Sequence, residues 1–172
     1  MTPEAVLPHD LDAERALLGA ALVNAEAFAQ ARDLVRATDF FDNPERPSHA
    51  AIYRAVGALL DAGSPLDILA VRAELDRVGK LDAAGGVAYL ASLDGFCSRS
   101  ADASWYAARV ANLAKRRRLV SLGSLLMEKA GNGTSDADLA RLLGDWREDL
   151  RALEPGVGVV EAESLSAILA RP

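Results

Sequence analysis

The apolar residues of this chain fall at helical spacing, in short runs punctuated by capping residues. Leu11, Leu18 and Leu22 stand seven and four apart in LDAERALLGAALV, so they share one stripe of a helix that Asp10 can cap. Asn24 can cap a second run, AEAFAQARDLV, with Phe28 and Leu34 or Val35 facing inward. After the loop TDFFDNPERP, the run HAAIYRAVGALLDAG carries Ile52, Val56, Leu59 and Leu60; Pro47 suits a first helical position and Gly63 ends the run. Asp67 caps DILAVRAELDRVG, which Gly79 closes, and Gly85-Gly86 opens GVAYLASLD with Tyr89, Leu90 and Leu93 on its apolar face.

The pattern changes after Ser100. The stretch ADASWYAARVANLAKRRRLVSLGSLLMEKAG reads as one uninterrupted helix of about thirty residues, or ~45 Å. Tyr106, Val110, Leu113 and Val120 form one apolar stripe on it, and Leu119, Leu122 and Leu126 form a second, overlapping line. GNGTS breaks the helix, and Ser135 and Asp138 make a capping pair. A further helix then carries Leu139, Leu143, Trp146, Leu150 and Leu153 at alternating spacings of four and three. The two runs predict an antiparallel helical hairpin with a coiled-coil-like seam. Such a hairpin has one internal seam, so the surplus apolar surface must meet the head or a second chain.

Composition supports an all-α fold, a compact helical head followed by an antiparallel helical hairpin. Aromatics are 5% of residues, β-branched residues are sparse, and Ala, Leu, Arg, Glu and Asp dominate. A chain of 172 residues, 51% hydrophobic, has enough apolar side chain for one packed domain with an appendage. The net charge of -6 argues against a general basic surface for nucleic acid and favours protein partners. Cys97, the single cysteine, has no internal disulfide partner. No secretory apolar region follows Met1 and no run is long enough to span a bilayer, so the expectation is a cytoplasmic protein with no membrane partner.

Candidate chemistry is sparse. His9 and His49 lie forty residues apart and, with one cysteine, make no metal-ligand spacing. Asp39, Asp42, Asp61 and Asp67 occupy loop or cap positions, where carboxylates stabilise turns and helix N-termini. The Gly85-Gly86 pair lacks the GxxxxGK[ST] or GxGxxG spacing of a phosphate cradle and follows no strand, so it reads as a turn that lets a helix start close to its neighbour. No catalytic, cofactor-binding or metal-binding residue is expected. The run Lys115, Arg116, Arg117 and Arg118 is the one basic cluster that could touch a nucleic acid. Successive helical residues are about 100° apart, so these four encircle the helix and read first as solvated side chains or ion-pair donors.

Taken in order, LPHDLDAERALLG (7–19), DFF (39–41), HAAIYRAV (49–56), GSPLD (63–67), LDRVGKLDAAGGVAYLASL (75–93), YAARV (106–110) and KRRRL (115–119) resemble the N-terminal domain of DnaB-type replicative DNA helicases. The resemblance covers residues 7 to 153. The chain departs from the family's usual pattern at Ser98, commonly proline, and at Tyr53, commonly phenylalanine. What the resemblance implies is a head at 1–99, a helical hairpin at 100–153 and, at 154–172, a linker toward a RecA-like ATPase domain that this chain does not include. The linker stretch ESLSAILARP also resembles the entry to plasmid RepA-type ATPases.

The expected function is a non-catalytic collar of a helicase ring that docks a primase or helicase loader. It would self-associate as a dimer through the hairpin and as a hexamer in the full-length protein. ATP and Mg would be bound by the ATPase domain alone, and DNA only weakly here. The candidate self-association residues are Leu119, Leu122, Leu126, Leu139, Leu143, Trp146 and Leu150; the weaker nucleic-acid candidates are Lys115 to Arg118. Two alternatives are the helicase-binding domain of a primase and a helical DNA-binding domain, although no recognition helix with basic and amide residues on one face is visible.

Overall fold

The computed structural model describes residues 7–96, 102–131 and 135–153. They form seven α-helices: α1 Leu11–Val23, α2 Ala25–Arg32, α3 His49–Asp61, α4 Ile68–Arg77, α5 Gly86–Leu93, α6 Ala103–Gly131 and α7 Asp136–Leu153. Short 3-10 turns occur at Ala37–Asp39 and Asp94–Phe96, and no strand occurs among the described residues. The chain divides into two compact units, Met1–Val120 and Ser121–Pro172, so the first two thirds of α6 belong to the head. Cys97 and Ser98, like the segment 154–172, lie outside the described residues.

The helix ends follow the capping chemistry of the sequence. Asp10 accepts from the Ala13 N–H at 3.0 Å, Asn24 from Glu26 and Ala27, and Asp67 from Ala70 at 2.8 Å. Each supplies an acceptor to a first-turn amide that has no partner within the helix. Ser48 caps α3, and Pro47 precedes that cap rather than occupying the first helical position. Gly63 and Gly79 close α3 and α4 with φ of 62° and 64°. The next amides, of Ser64 and Lys80, reach back to Leu59 and Leu75, a Schellman closure in each case. At α7, Ser135 and Asp138 bond reciprocally as a capping pair.

Helix α1 is the centre of the head. It packs on α2, α3, α5 and the 94–96 turn, and it is buried continuously from Ala16 to Leu22, not along one stripe. Its alanines and Gly19 allow this, because small side chains let neighbouring helices approach from every side. Around it stand Phe28, Val35, Ile52, Val56, Val71, Leu75, Leu90 and Leu93, all essentially inaccessible to solvent. The choice between Leu34 and Val35 falls to Val35; Leu34 is exposed. The Tyr53 hydroxyl donates to the Val35 carbonyl at 3.1 Å, and burial pushes its pKa up to about 12. The buried hydroxyl of Tyr53 therefore has a partner.

The glycine pair makes the close turn expected of it. Gly85 sits at the N-cap of α5 with φ of 88°, and a Cβ there would come within 2.8 Å of Tyr89 Cβ and 2.9 Å of Pro47 Cγ. Its missing side chain lets Tyr89 and the approach to α3 close over the turn, which is a packing role.

Candidate interaction surfaces

Helix α6 enters the head through alanines. Ala103, Ala107, Val110, Leu113 and Ala114 are its buried residues, while Tyr106 is half-buried and Val120 already faces solvent. Its basic side chains then fasten it. Arg109 Nε pairs with Asp10 at 3.1 Å, and Arg118 reaches the Asp39 carboxylate at 2.7 Å. The Arg117 guanidinium donates to the carbonyl oxygens of Pro8 and Asp39 and lies over the Phe41 ring, which stacks in turn on His9. Burial lowers the Arg117 pKa from its usual high value, against the opposing pull of Glu14 and Asp39. Of the basic run, Arg117 and Arg118 are thus engaged with the head, Arg116 is exposed and Lys115 half-buried.

Beneath this attachment lies a polar cluster that sequence spacing does not reveal. Glu14 and His49 are 2% and 3% exposed, with Glu14 Oε2 2.5 Å from His49 Nδ1. The other carboxylate oxygen, Oε1, accepts from the Phe41 amide at 2.8 Å, and His49 Nε2 lies 2.5 Å from the Tyr89 hydroxyl. Every polar atom in this cluster is met, as burial demands. In the sequence Glu14 stands among the charged residues Asp12 and Arg15 and His49 opens α3, and nothing there pairs residues 35 apart.

Apolar residues remain uncovered farther along α6. Leu119 is 45% exposed and Met127 79%, and Val120 and Leu125 also face solvent. Within the second unit, Leu122 and Leu126 of α6 and Leu139, Leu142 and Trp146 of α7 are half-buried. Leu143 is 44% exposed, so the more covered face of α7 runs through Leu142. The side chain of Leu150 lies outside the described residues. At the other end of α6, Trp105 is 64% exposed and meets Tyr106 edge-on. Among the described residues, no group of three or more His, Cys, Asp or Glu side chains could hold a metal ion, and no helix is long and apolar enough to cross a membrane.

The described residues define an all-helical protein of two compact units, with a head whose core is rich in small residues. The sequence profile of the DnaB-like helicase N terminal domain matches residues 6–112, and the chain belongs to that family. It is 39% identical over 127 residues to the replicative DNA helicase DnaB of Leifsonia xyli subsp. xyli (strain CTCB07), covering 74% of this chain and 27% of that protein. It is 38% identical over 136 residues to the DnaB of Mycobacterium leprae (strain TN), covering 79% and 22%. The chain therefore spans about a quarter of the length of these relatives.

Among solved structures, the N-terminal domain of DnaB helicase from Mycobacterium tuberculosis superposes with a TM-score of 0.76 at 35% identity, over 86% of this chain and 99% of that one. A DnaB-like replicative helicase, solved in a study of its interactions with primase, shares the fold. It has a TM-score of 0.61 at 20% identity, over 93% of this chain and 34% of that one.

Proposed function

We propose that this chain is the non-catalytic interaction and oligomerisation domain of a replicative DNA helicase, contributing to the collar of the ring and docking a primase or loader. The observation that carries the reading is the uncovered apolar surface on the outer part of α6 and on α7, represented by Leu119 and Leu143. Covering a fully exposed leucine side chain is worth about 1.5 to 3 kcal/mol, and partly covered ones contribute less each, so several such residues per chain must act together to offset the cost of association. Leu122, Leu126, Leu139 and Trp146 complete the candidate surface. Family membership supports the same role, and the primase study of a protein of similar fold supports primase as the partner. ATP and Mg are assigned to an ATPase segment such as the longer relatives have length for, and DNA contact here is weak and carried by Lys115 and Arg116 at most.

Sedimentation of the wild type and of Leu119→Asp and Leu143→Asp tests the reading. Both positions are exposed, so the helical circular dichroism should be unchanged while concentration-dependent association falls. A wild type that stays monomeric to high micromolar concentration refutes self-association. Titration of the same proteins with a bacterial replicative primase tests the docking role.

A further inference from the structure

The bonds around Glu14 do not end at Glu14. Beginning at α5, the Tyr89 hydroxyl meets His49 Nε2 on α3, and His49 Nδ1 meets Glu14 Oε2 on α1. Glu14 Oε1 then takes the Phe41 amide. Two residues before Phe41, Asp39 gives its carbonyl to Arg117 and its carboxylate to Arg118, both on α6, while its second carboxylate oxygen holds the Arg36 amide at 2.8 Å. Tyr89 is half-buried and also lies against Arg15, whose pKa its oxygen raises, so this end of the chain of bonds reaches the surface. Arg118 is half-exposed at the other end.

We propose that these contacts form one cooperative relay, by which a change at the Tyr89 surface of α5 is felt where α6 is fastened to the head. The physical ground is that His49, Glu14 and Asp39 each hold two or more partners at once, and the backbone through Phe40 joins the Phe41 amide to Asp39. Glu14 cannot shift toward His49 without lengthening its bond to Phe41, and Phe41 cannot move without moving Asp39. Buried hydrogen bonds in series polarise and position one another, and coupling of this kind is read by double-mutant cycles. Side chains without a shared partner behave additively, so additivity is the alternative that the measurement must exclude. The relay is a property of the head and does not depend on the self-association proposed above.

The test uses the whole chain with Tyr89→Phe, Arg118→Ala and the double variant. Neither substitution deletes an apolar core group, and Tyr89→Phe removes one hydroxyl. The Phe41 amide, at the centre of the relay, should exchange about threefold to tenfold faster in each single variant, as loss of one bond in a linked set implies. The Ala70 amide, held by Asp67 on α4 and outside the relay, should keep its rate. The double variant should lose less urea midpoint than the two single losses added together. An unchanged Phe41 rate in Tyr89→Phe, or strictly additive midpoints, overturns the proposal.

Discussion

Arg117 donates to the carbonyl oxygen of Pro8, 2.8 Å away and 109 positions earlier in the chain. The bond ties the middle of α6 to the segment that leads into α1, and the same guanidinium reaches the carbonyl of Asp39. Both acceptors are backbone atoms, so the site asks for a forked donor at fixed reach, which a lysine does not supply.

Arg117→Lys should therefore destabilise the head nearly as much as Arg117→Ala, by about 1.5 to 3 kcal/mol, the range for hydrogen bonds made by a charged group. Urea unfolding followed by tryptophan fluorescence measures it. Arg116→Ala, an exposed change in the same run, should leave the midpoint where it was.

Glu14→Leu should be among the most damaging single substitutions. It leaves the Phe41 amide and one His49 ring nitrogen buried without their acceptor, a loss of about 2 to 5 kcal/mol. The exposed pair Arg32–Asp61 offers the contrast: its 2.6 Å contact is nearly as short as the buried Glu14–His49 contact, yet Asp61→Asn should not shift the thermal midpoint measurably, because water competes for both groups.

Gly85→Ala should cost more than Gly63→Ala. Both glycines have positive φ, which costs an alanine about 1 to 2 kcal/mol. At Gly85 the new methyl also meets Tyr89 and Pro47 at less than 3.0 Å, whereas at Gly63 nothing lies within 4 Å. Thermal melts of the two variants should rank in that order.

Asp10 gives the head a dependence on acid. The Ala13 amide holds its pKa below the ordinary value of 3.8; burial pushes the other way, and the Arg109 guanidinium adds to the lowering. A carboxylate with a lowered pKa stabilises the fold above its unfolded value, and that contribution is lost as pH falls below 3.8 toward the folded pKa. Asp10→Asn retains a capping oxygen but does not titrate, so its stability should fall less steeply than the wild type's between pH 4 and pH 2, an acid window of about two units. Circular dichroism across that range measures the difference.

The helices of the head were legible because their ends carry local chemistry: Asp10, Asn24 and Asp67 cap, and Gly63 and Gly79 stop. The centrality of α1 was not, since alanine contributes little to a hydrophobic stripe even when fully buried. Arg117 cannot be told from Lys115 by position in a run of four cations; tertiary carbonyls 78 and 109 residues away make the distinction. Leu142 and Leu143 both satisfy a three-four spacing with Leu139 and Trp146, and a helix face is decided by its neighbours as much as by its period. The Glu14–His49 contact was invisible for the same reason, as each residue alone resembles an ordinary surface polar side chain.

Alanine is the most frequent residue in the buried core of the described residues, and Ala13, Ala20 and Ala21 on α1 share one cluster with alanines of other helices such as Ala51 and Ala107. Such a core is bounded on both sides. Trimming a methyl to glycine loosens the helix itself, and adding carbons forces apart helices that have no slack. The permitted drift of α1 is therefore narrow from Ala16 to Leu22, whereas the exposed positions of the other helices answer to solvent and set no such bound.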